Sequence, residues 1–313
     1  MARAQGLCLV HLVWAPLGLD AFRDFAEALR RNPPGVECSL ALAMNGFASQ
    51  ADAEPYLEEV ADLAPEALFF AGGLDLEVYF AAARRLRHDR YCFINSYSRP
   101  LVEGWLARLD AVLCRPGVGV VGATGSWASA RSWMAYSLGL PSVYSRVLPP
   151  RDIARAQLLA IELEHAGTGR RSTAESLRAR WATLRQLREV ERFPAHHLRT
   201  NAFLISAATL GRVRLRPVRS KLDAYALEHG RHSITRQVQQ LGLQALVVDR
   251  WGAAYDPPCW DRSGTFWQGD QEGLLVADNR TLAYERGDVV RRCVLAGYAW
   301  GSQADAQVGS VLR

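Results

Sequence analysis

Tyr91-Cys-Phe-Ile-Asn95-Ser-Tyr97-Ser-Arg99-Pro100-Leu-Val-Glu103-Gly104-Trp105-Leu, followed further on by Gly117-Val-Gly-Val-Val-Gly122-Ala-Thr-Gly125-Ser-Trp127, decides how the chain is read. Tyr91 to Ile94 is a short apolar run that ends in small polar residues. The spacing then predicts an amphipathic helix started by Pro100 and a second apolar run closed by glycines. The order is strand, polar tip, helix, strand, glycine loop. In an open α/β sheet, ligands bind just past the carboxyl ends of the strands. Asn95 to Arg99 and Gly122 to Trp127 are therefore the first places to expect chemistry.

Upstream, the same rhythm repeats. Cys8 to Trp14 reads as a buried first strand, with Pro16 at its tip and Asp20 as the cap of a helix whose Phe22, Phe25, Ala26 and Leu29 recur at helical spacing. Val36 to Met44 is the second strand, ending in Asn45-Gly46. A helix is expected over about Ala53 to Leu63 and a third strand over Ala67 to Phe70, and Asp75 is expected to cap a third helix. Strands alternating with helices predict an α/β fold, a Rossmann-like, mostly parallel sheet flanked by helices on both faces. After Pro149-Pro150 the pattern changes. Residues 151–192 are rich in Arg and Glu with long helical periodicity, which predicts a helical insertion serving packing or a homo-oligomer contact. Strands are expected again at Ala202 to Ser206 and Ala245 to Asp249, with one helix from about Tyr225 to Leu241. The C-terminal region from Asp256 reads as irregular, with a final apolar stretch near Val289 to Trp300. The whole is expected to be a single domain, 1–313, with halves at 1–130 and 193–313.

Composition removes several classes. A chain of 313 residues with 49% hydrophobic and 22% charged residues is an ordinary globular protein able to bury a sizeable core. Its net charge of +5 invites a nucleic-acid reading. Yet Lys221 is the only lysine among 37 basic residues, and the arginines are scattered among acids without an aromatic-interleaved basic block, so no nucleic-acid partner is expected. The six cysteines form no C-x-x-C and no zinc spacing, which fits a reducing, cytoplasmic setting. The apolar run Leu7 to Leu19 is interrupted by His11 and Pro16 and lacks a cleavage site. It is also too short to span a bilayer, so neither a signal peptide nor a transmembrane segment is expected there.

Individual motifs then compete. Gly117-Val-Gly-Val-Val-Gly122-Ala resembles a dinucleotide loop, but its first glycines precede the apolar pair Val120-Val121 and no helix pattern or acidic strand end follows, so an NAD(P) oxidoreductase is disfavoured. Pro16, Asn45, Asp75 and Asn95 fall at successive strand tips. Together they could recognise a nucleobase and ribose, although each also suits a turn. In His196-His197-Leu-Arg199-Thr200-Asn201, adjacent histidines do not make a metal pair, and Arg199 could hold a phosphate or a salt bridge. Glu228-His229-Gly230-Arg231-His232 offers a carboxylate that is either a helix cap or a general base. Trp267 with Gln268, Asp270 and Gln271, and the run Asp278-Asn279-Arg280-Thr281, have the aromatic-plus-amide character of carbohydrate sites and of packed loops alike.

In order, these blocks resemble the GT-A fold nucleotide-sugar glycosyltransferases, especially their large inverting family. The central block of that family is a strand ending in Asp-x-Asp, then "rp-x-x-gWl", then "pgvgvvg". Here the corresponding residues are Asn95-Ser-Tyr97, Arg99-Pro100 to Gly104-Trp105-Leu, and Pro116 to Gly122. Lys221 to Arg236, then Gly242 and Leu246-Val-Val248, resemble the family's "E-D … R … G" segment. The resemblance covers roughly residues 7–127 and 200–256.

The resemblance implies a glycosyltransferase, hexosyltransferase-like and inverting, that moves a sugar from a nucleotide-diphosphate donor to an acceptor hydroxyl. It makes residues 1–130 the nucleotide-binding half and 193–313 the acceptor-side half, with a carbohydrate or glycosylated acceptor as partner. Pro16, Asn45, Asp75, Asn95, Tyr97 and Arg99 would bind donor. Glu228, or otherwise Asp223 or His229, would act as base, and Trp127, Arg199, Asn201, Arg231 and Trp267 would meet acceptor or phosphate. The family's divalent metal, Mn2+ or Mg2+, has its Asp-x-Asp ligands replaced by an amide and a phenol, poor ligands for a hard cation. Either the metal is held elsewhere, by Asp75 or a C-terminal acid, or cations such as Arg99, Arg199 and Arg231 neutralise the diphosphate. The lost acids also admit a second reading, a catalytically degenerate GT-A module that binds a nucleotide sugar or a protein partner.

Overall fold

The computed structural model describes residues 6–163, 190–216 and 221–301. Its centre is an eight-stranded sheet in the order β11-β10-β6-β9-β4-β1-β2-β3, formed by β1 Leu7–Trp14, β2 Ser39–Asn45, β3 Glu66–Phe70, β4 Arg90–Ile94, β6 Val118–Gly122, β9 Ala202–Ser206, β10 Gln244–Val248 and β11 Ala254–Tyr255. Neighbours pair in parallel except at β9, which runs against both β4 and β6, and at the edge strand β11. Two short ribbons flank it: β5 Arg99–Pro100 with β12 Val276–Ala277, and β7 Gly125–Ser126 with β8 His197–Leu198.

Both faces of the sheet are covered, because successive side chains of a strand point to opposite sides. Leu9 and Val13 of β1, with Cys92 and Ile94 of β4, pack under Phe22 and Phe25 of helix α1 (Leu19–Arg31) and under the Trp105–Leu113 helix. Val10 and Leu12, with Tyr91 and Phe93, pack under the Asp75–Arg85 helix, the Ile234–Gln240 helix and the Val289–Trp300 helix. A layer of helices on each side of a mostly parallel sheet is what the alternating pattern predicts.

Several local expectations change. Pro100 does not start a helix: it is in β5, paired with Val276, and the helix begins at Trp105 after Gly104, whose φ of +70° suits glycine. Asp20 and Asp75 are not caps but lie in the first turns, behind Gly18 and Leu74. The expected helix over Tyr225 to Leu241 is two helices, Lys221–His229 and Ile234–Gln240, because Gly230 breaks the run and the Ser233 hydroxyl accepts from the Arg236 amide to start the second. Residues 256–278 are largely irregular, but two helices follow, Asn279–Glu285 and Val289–Trp300. Of the expected insertion, helix Arg151–Leu163 is described and residues 164–189 lie outside the described residues.

The glycine run is a packing device. A Cβ on Gly119 would sit 2.6 Å from Val238 and 2.8 Å from Leu243, and one on Gly122 2.9 Å from Leu198. These glycines lie inside β6, not in a loop between strand and helix, so they let a strand approach its neighbours closely. Among the described residues, no helix is long and apolar enough to cross a membrane.

Candidate active site

Strand direction assembles the site. The C-terminal ends of β1, β2, β4 and β6 lie along one edge, and the reversed β9 starts at that same edge. Asn201, just before β9, therefore meets Asn95, just after β4: the Asn95 amide donates to the Asn201 carbonyl at 3.0 Å. This single reversal brings residues from the second half of the chain against the tips of the first.

The tip after β4 is a tight polar turn. Asn95 Oδ1 accepts from the Tyr97 amide (3.1 Å), and Ser98 Oγ lies 2.8 Å from both Asn95 Oδ1 and the Asn201 carbonyl. Ser96 Oγ donates to the Leu12 carbonyl (2.7 Å) and accepts from the Trp14 amide (3.1 Å), fastening this tip to that of β1. Asparagine is here the turn-forming residue, and its side-chain oxygen is committed to the turn. Burial, and then Asp75, push the Tyr97 phenol above its ordinary value, so it stays protonated. Among the described residues, no cluster of three or more His, Cys, Asp or Glu is placed to hold a metal ion. The turn does not fit a divalent cation that seeks carboxylate oxygens.

Two carboxyl groups lie within electrostatic reach of one another at this edge. Asp75 opens the Asp75–Arg85 helix and is half-buried, and burial first, then the charge of Glu228, push its carboxyl up to about 6. Glu228 comes from the end of the Lys221–His229 helix. The Thr200 hydroxyl donates to its Oε1 at 3.3 Å, and His229 Nε2 lies 3.4 Å from its Oε2. Burial works to raise the Glu228 carboxyl, but His229, Arg280 and Thr200 outweigh it and hold the group below the usual glutamate range. The His229 ring stacks on His197, centroids 3.8 Å apart. Because a carbonyl can only accept, His197 donates through Nδ1 to the Ala195 carbonyl at 2.7 Å. Burial, and then His229, keep this imidazole well below its ordinary value and so neutral. Environment thus separates two neighbouring acids: one is ionised throughout the neutral range, the other titrates near its lower edge.

The third wall is a buried ion pair. Arg199 Nη2 meets Asp278 Oδ2 at 2.5 Å, with side chains only 12% and 1% exposed. Arg199 Nη1 donates to Thr124 Oγ1 (3.3 Å), Thr124 donates to Asn201 Oδ1 (2.6 Å), and the guanidinium lies 4.0 Å over the Phe266 ring. Asp278 is fixed in turn, since its Oδ1 accepts from the Thr281 amide at 2.9 Å as the cap of the Asn279–Glu285 helix. Arg199 and Glu228 line one cavity of about 10 Å³ with Leu76, Thr200 and Phe203, the size of a single water.

The structure brings Asn45, Asp75, Asn95, Tyr97, Arg199, Asn201, Glu228 and His229 to this edge, with Pro16 exposed in the turn after β1. Asn45 ends β2 and its amide donates to the Gly73 carbonyl at 3.0 Å, which ties the loop before Asp75 to the sheet. Other expected ligands are turned elsewhere. Arg99 pairs with Asp24 of α1 at 2.9 Å, drawn there by the β5–β12 ribbon. Trp267 is 2% exposed, stacked on Phe266 with its indole N–H donating to the Arg280 carbonyl at 3.0 Å, so it has no face to offer a sugar. Trp127 is half-buried against Trp300, Phe193 and His196, with its N–H spent on the Pro257 carbonyl at 2.8 Å. Arg231 is exposed beyond the helix end. Asp223, in the first turn of the Glu228 helix, lies about 140° round its axis from Glu228 at 3.6 residues per turn. Sequence reasoning quoted Asp278 and Arg280 only as part of a polar tail. The spacing Asp278-x-x-Thr281, a helix cap, was the available signal for the first; nothing local signals the second.

No family model and no curated protein matches this chain. Solved structures similar to it include the mannosyltransferase PcManGT from Pyrobaculum calidifontis in complex with GDP-Man and Mn2+, at 11% identity, 99% of this chain, 79% of that chain and a TM-score of 0.44. Glucosyl-3-phosphoglycerate synthase from Mycobacterium tuberculosis, with Mn2+, UDP and phosphoglyceric acid, is 9% identical over 76% of this chain and 63% of its own, TM-score 0.35. The bifunctional glycosyltransferase WbbM is 9% identical over 76% of this chain and 38% of its own, TM-score 0.34.

Proposed function

We propose that this edge binds a nucleotide-diphosphate sugar and that the protein transfers the sugar to an acceptor hydroxyl. The observation that carries the reading is that Glu228, held by Thr200 just before the reversed strand β9, lies within electrostatic reach of Asp75, which in turn acts on Tyr97 at the tip of β4. Pro16 and Asn45 then border the nucleotide end, with Asp75 and Tyr97 on the sugar side. Glu228, ionised and oriented by Thr200 and His229, takes the proton of the acceptor hydroxyl. The new bond forms between the acceptor oxygen and the anomeric carbon while the bond from that carbon to the diphosphate oxygen breaks. A single displacement of this kind inverts the anomeric carbon. A divalent metal would supply charge neutralisation at the diphosphate, but the Asn95 turn offers it no carboxylate.

The commitment of Asn95 Oδ1 to the turn also favours a second reading, a module that binds a nucleotide sugar without transferring it. Nucleoside diphosphate release from a panel of nucleotide sugars, with and without sugar acceptors, separates the two. Acceptor-dependent release that falls roughly 10²–10⁴-fold in Glu228→Gln supports transfer with Glu228 as base. Binding without release identifies the module, and full turnover by Glu228→Gln removes that residue from the chemistry.

A further inference from the structure

Among the described residues, Arg280 is a cation at this edge without a carboxylate of its own. It follows Asn279 in the short helix capped by Asp278, and it is half-buried. It stands two residues beyond Asp278, the partner of Arg199, and its guanidinium is within electrostatic reach of Glu228, Asp278 and Arg199. Among the described residues it nevertheless makes no side-chain hydrogen bond or ion pair. Its neighbours are already engaged: Asp278 with Arg199 and the Thr281 amide, Glu228 with Thr200 and His229. A half-buried guanidinium normally finds a carboxylate, since its five donors are expensive to leave unmet away from water. Here a second arginine, Arg199, feels the like charge of Arg280 and is held by its own acid, Asp278.

From this we infer that Arg280 is a ligand of the donor's diphosphate, assisted by the Arg199–Asp278 pair, and that it does the work for which the Asn95 turn offers no metal. The inference rests on the proposed transfer reading. Guanidinium suits the role: it presents donors in a planar fork that meets two phosphate oxygens at once, and it stays charged throughout the pH range of the reaction. Arg199, locked between Thr124, Asp278 and the Phe266 ring, cannot swing to the ligand without breaking a buried pair, and so it supplies field rather than contact. Arg280 has no such restraint. Because its charge also acts on Glu228, the charge that neutralises the leaving group is within electrostatic reach of the group that accepts the acceptor's proton.

The test uses the full chain and calorimetric titration with UDP, GDP and ADP, each against its nucleoside monophosphate, in the presence of EDTA. Wild type is expected to bind at least one diphosphate in EDTA, with a Kd within twofold of that measured in Mn2+ or Mg2+. Arg280→Gln is expected to weaken that diphosphate about tenfold or more, as for loss of a charge-assisted contact, and to leave the monophosphate within twofold. Arg280→Lys is expected to recover part of the loss. Melting curves of the variants should overlay wild type, since the side chain holds nothing in the fold. Unchanged diphosphate affinity in Arg280→Gln overturns the inference while leaving the transfer reading standing, as does diphosphate binding that EDTA abolishes and Mn2+ restores. Failure of wild type to bind any nucleoside diphosphate, with or without metal, overturns both.

Discussion

Replacing Asp75 by Asn should stabilise the protein, and only above a certain pH. The Asp75 carboxyl is pushed from 3.8 up to about 6, by burial first and Glu228 second. Asparagine keeps the shape and removes the charge. A group whose folded pKa is raised binds its proton more tightly in the folded state, so its contribution to stability is complete below the unfolded pKa and is lost as pH rises through the folded one. The window is therefore about pH 4 to 6. At about 1.4 kcal/mol per pH unit, the full rise corresponds to about 3 kcal/mol of destabilisation by the ionised form at neutral pH. Asp75 is only half-buried, so solvent relieves part of this, and about 1–2 kcal/mol is the expected gain for Asp75→Asn. Urea unfolding of both proteins at a series of pH values reads it directly. The advantage of the variant should grow between about pH 4 and pH 6 and level off above about pH 7. A difference that does not vary with pH, or a variant less stable than wild type at neutral pH, would mean that ionised Asp75 is held by a favourable partner, and the electrostatic account of this edge would be wrong. Nucleotide binding by the same variant should weaken if Asp75 meets donor, the usual exchange of stability for function at a working site.

Two further substitutions separate framework from site. Asp278→Asn leaves the buried Arg199 charge without its partner and should cost about 3–5 kcal/mol in unfolding free energy, much of which the added change Arg199→Met should restore; a neutral single variant would show that the pair is solvated. Trp267→Ala should cost about 3–5 kcal/mol, since a fully buried indole is lost, while any nucleotide or sugar that wild type binds keeps its affinity; a selective loss of acceptor sugar binding with an unchanged melting curve would return Trp267 to the site.

The first half of the sheet was legible because each strand is a local apolar run with its own punctuation, as in Cys8 to Trp14 and Tyr91 to Ile94. The reversal of β9 was not, because nothing in Ala202 to Ser206 encodes the direction in which those residues pair. That reversal is what sets Asn201, Thr200 and Arg199 beside the tips. Pro100 read as a helix start because the decisive pairing, with Val276, comes from a segment far along the chain. Composition named Trp267 as a sugar platform and could not tell a displayed aromatic from a buried one. Glu228 stood out as a carboxylate among His and Arg that could be a cap or a base, the resemblance favoured the base, and the structure adds the Thr200 and His229 contacts that help keep it ionised. Arg280 escaped notice because its meaning lies in what its neighbours have already bound, which is a property of the folded molecule alone.

The central claim is that this strand edge recognises a nucleotide diphosphate, and calorimetric titration of the full chain with a panel of nucleotide sugars spanning UDP, GDP, dTDP and ADP, carried to millimolar concentration, tests it most directly. The account predicts saturable binding of at least one of them, competed by the matching free diphosphate. The absence of binding by every member, in EDTA and in Mn2+ or Mg2+ alike, would contradict it.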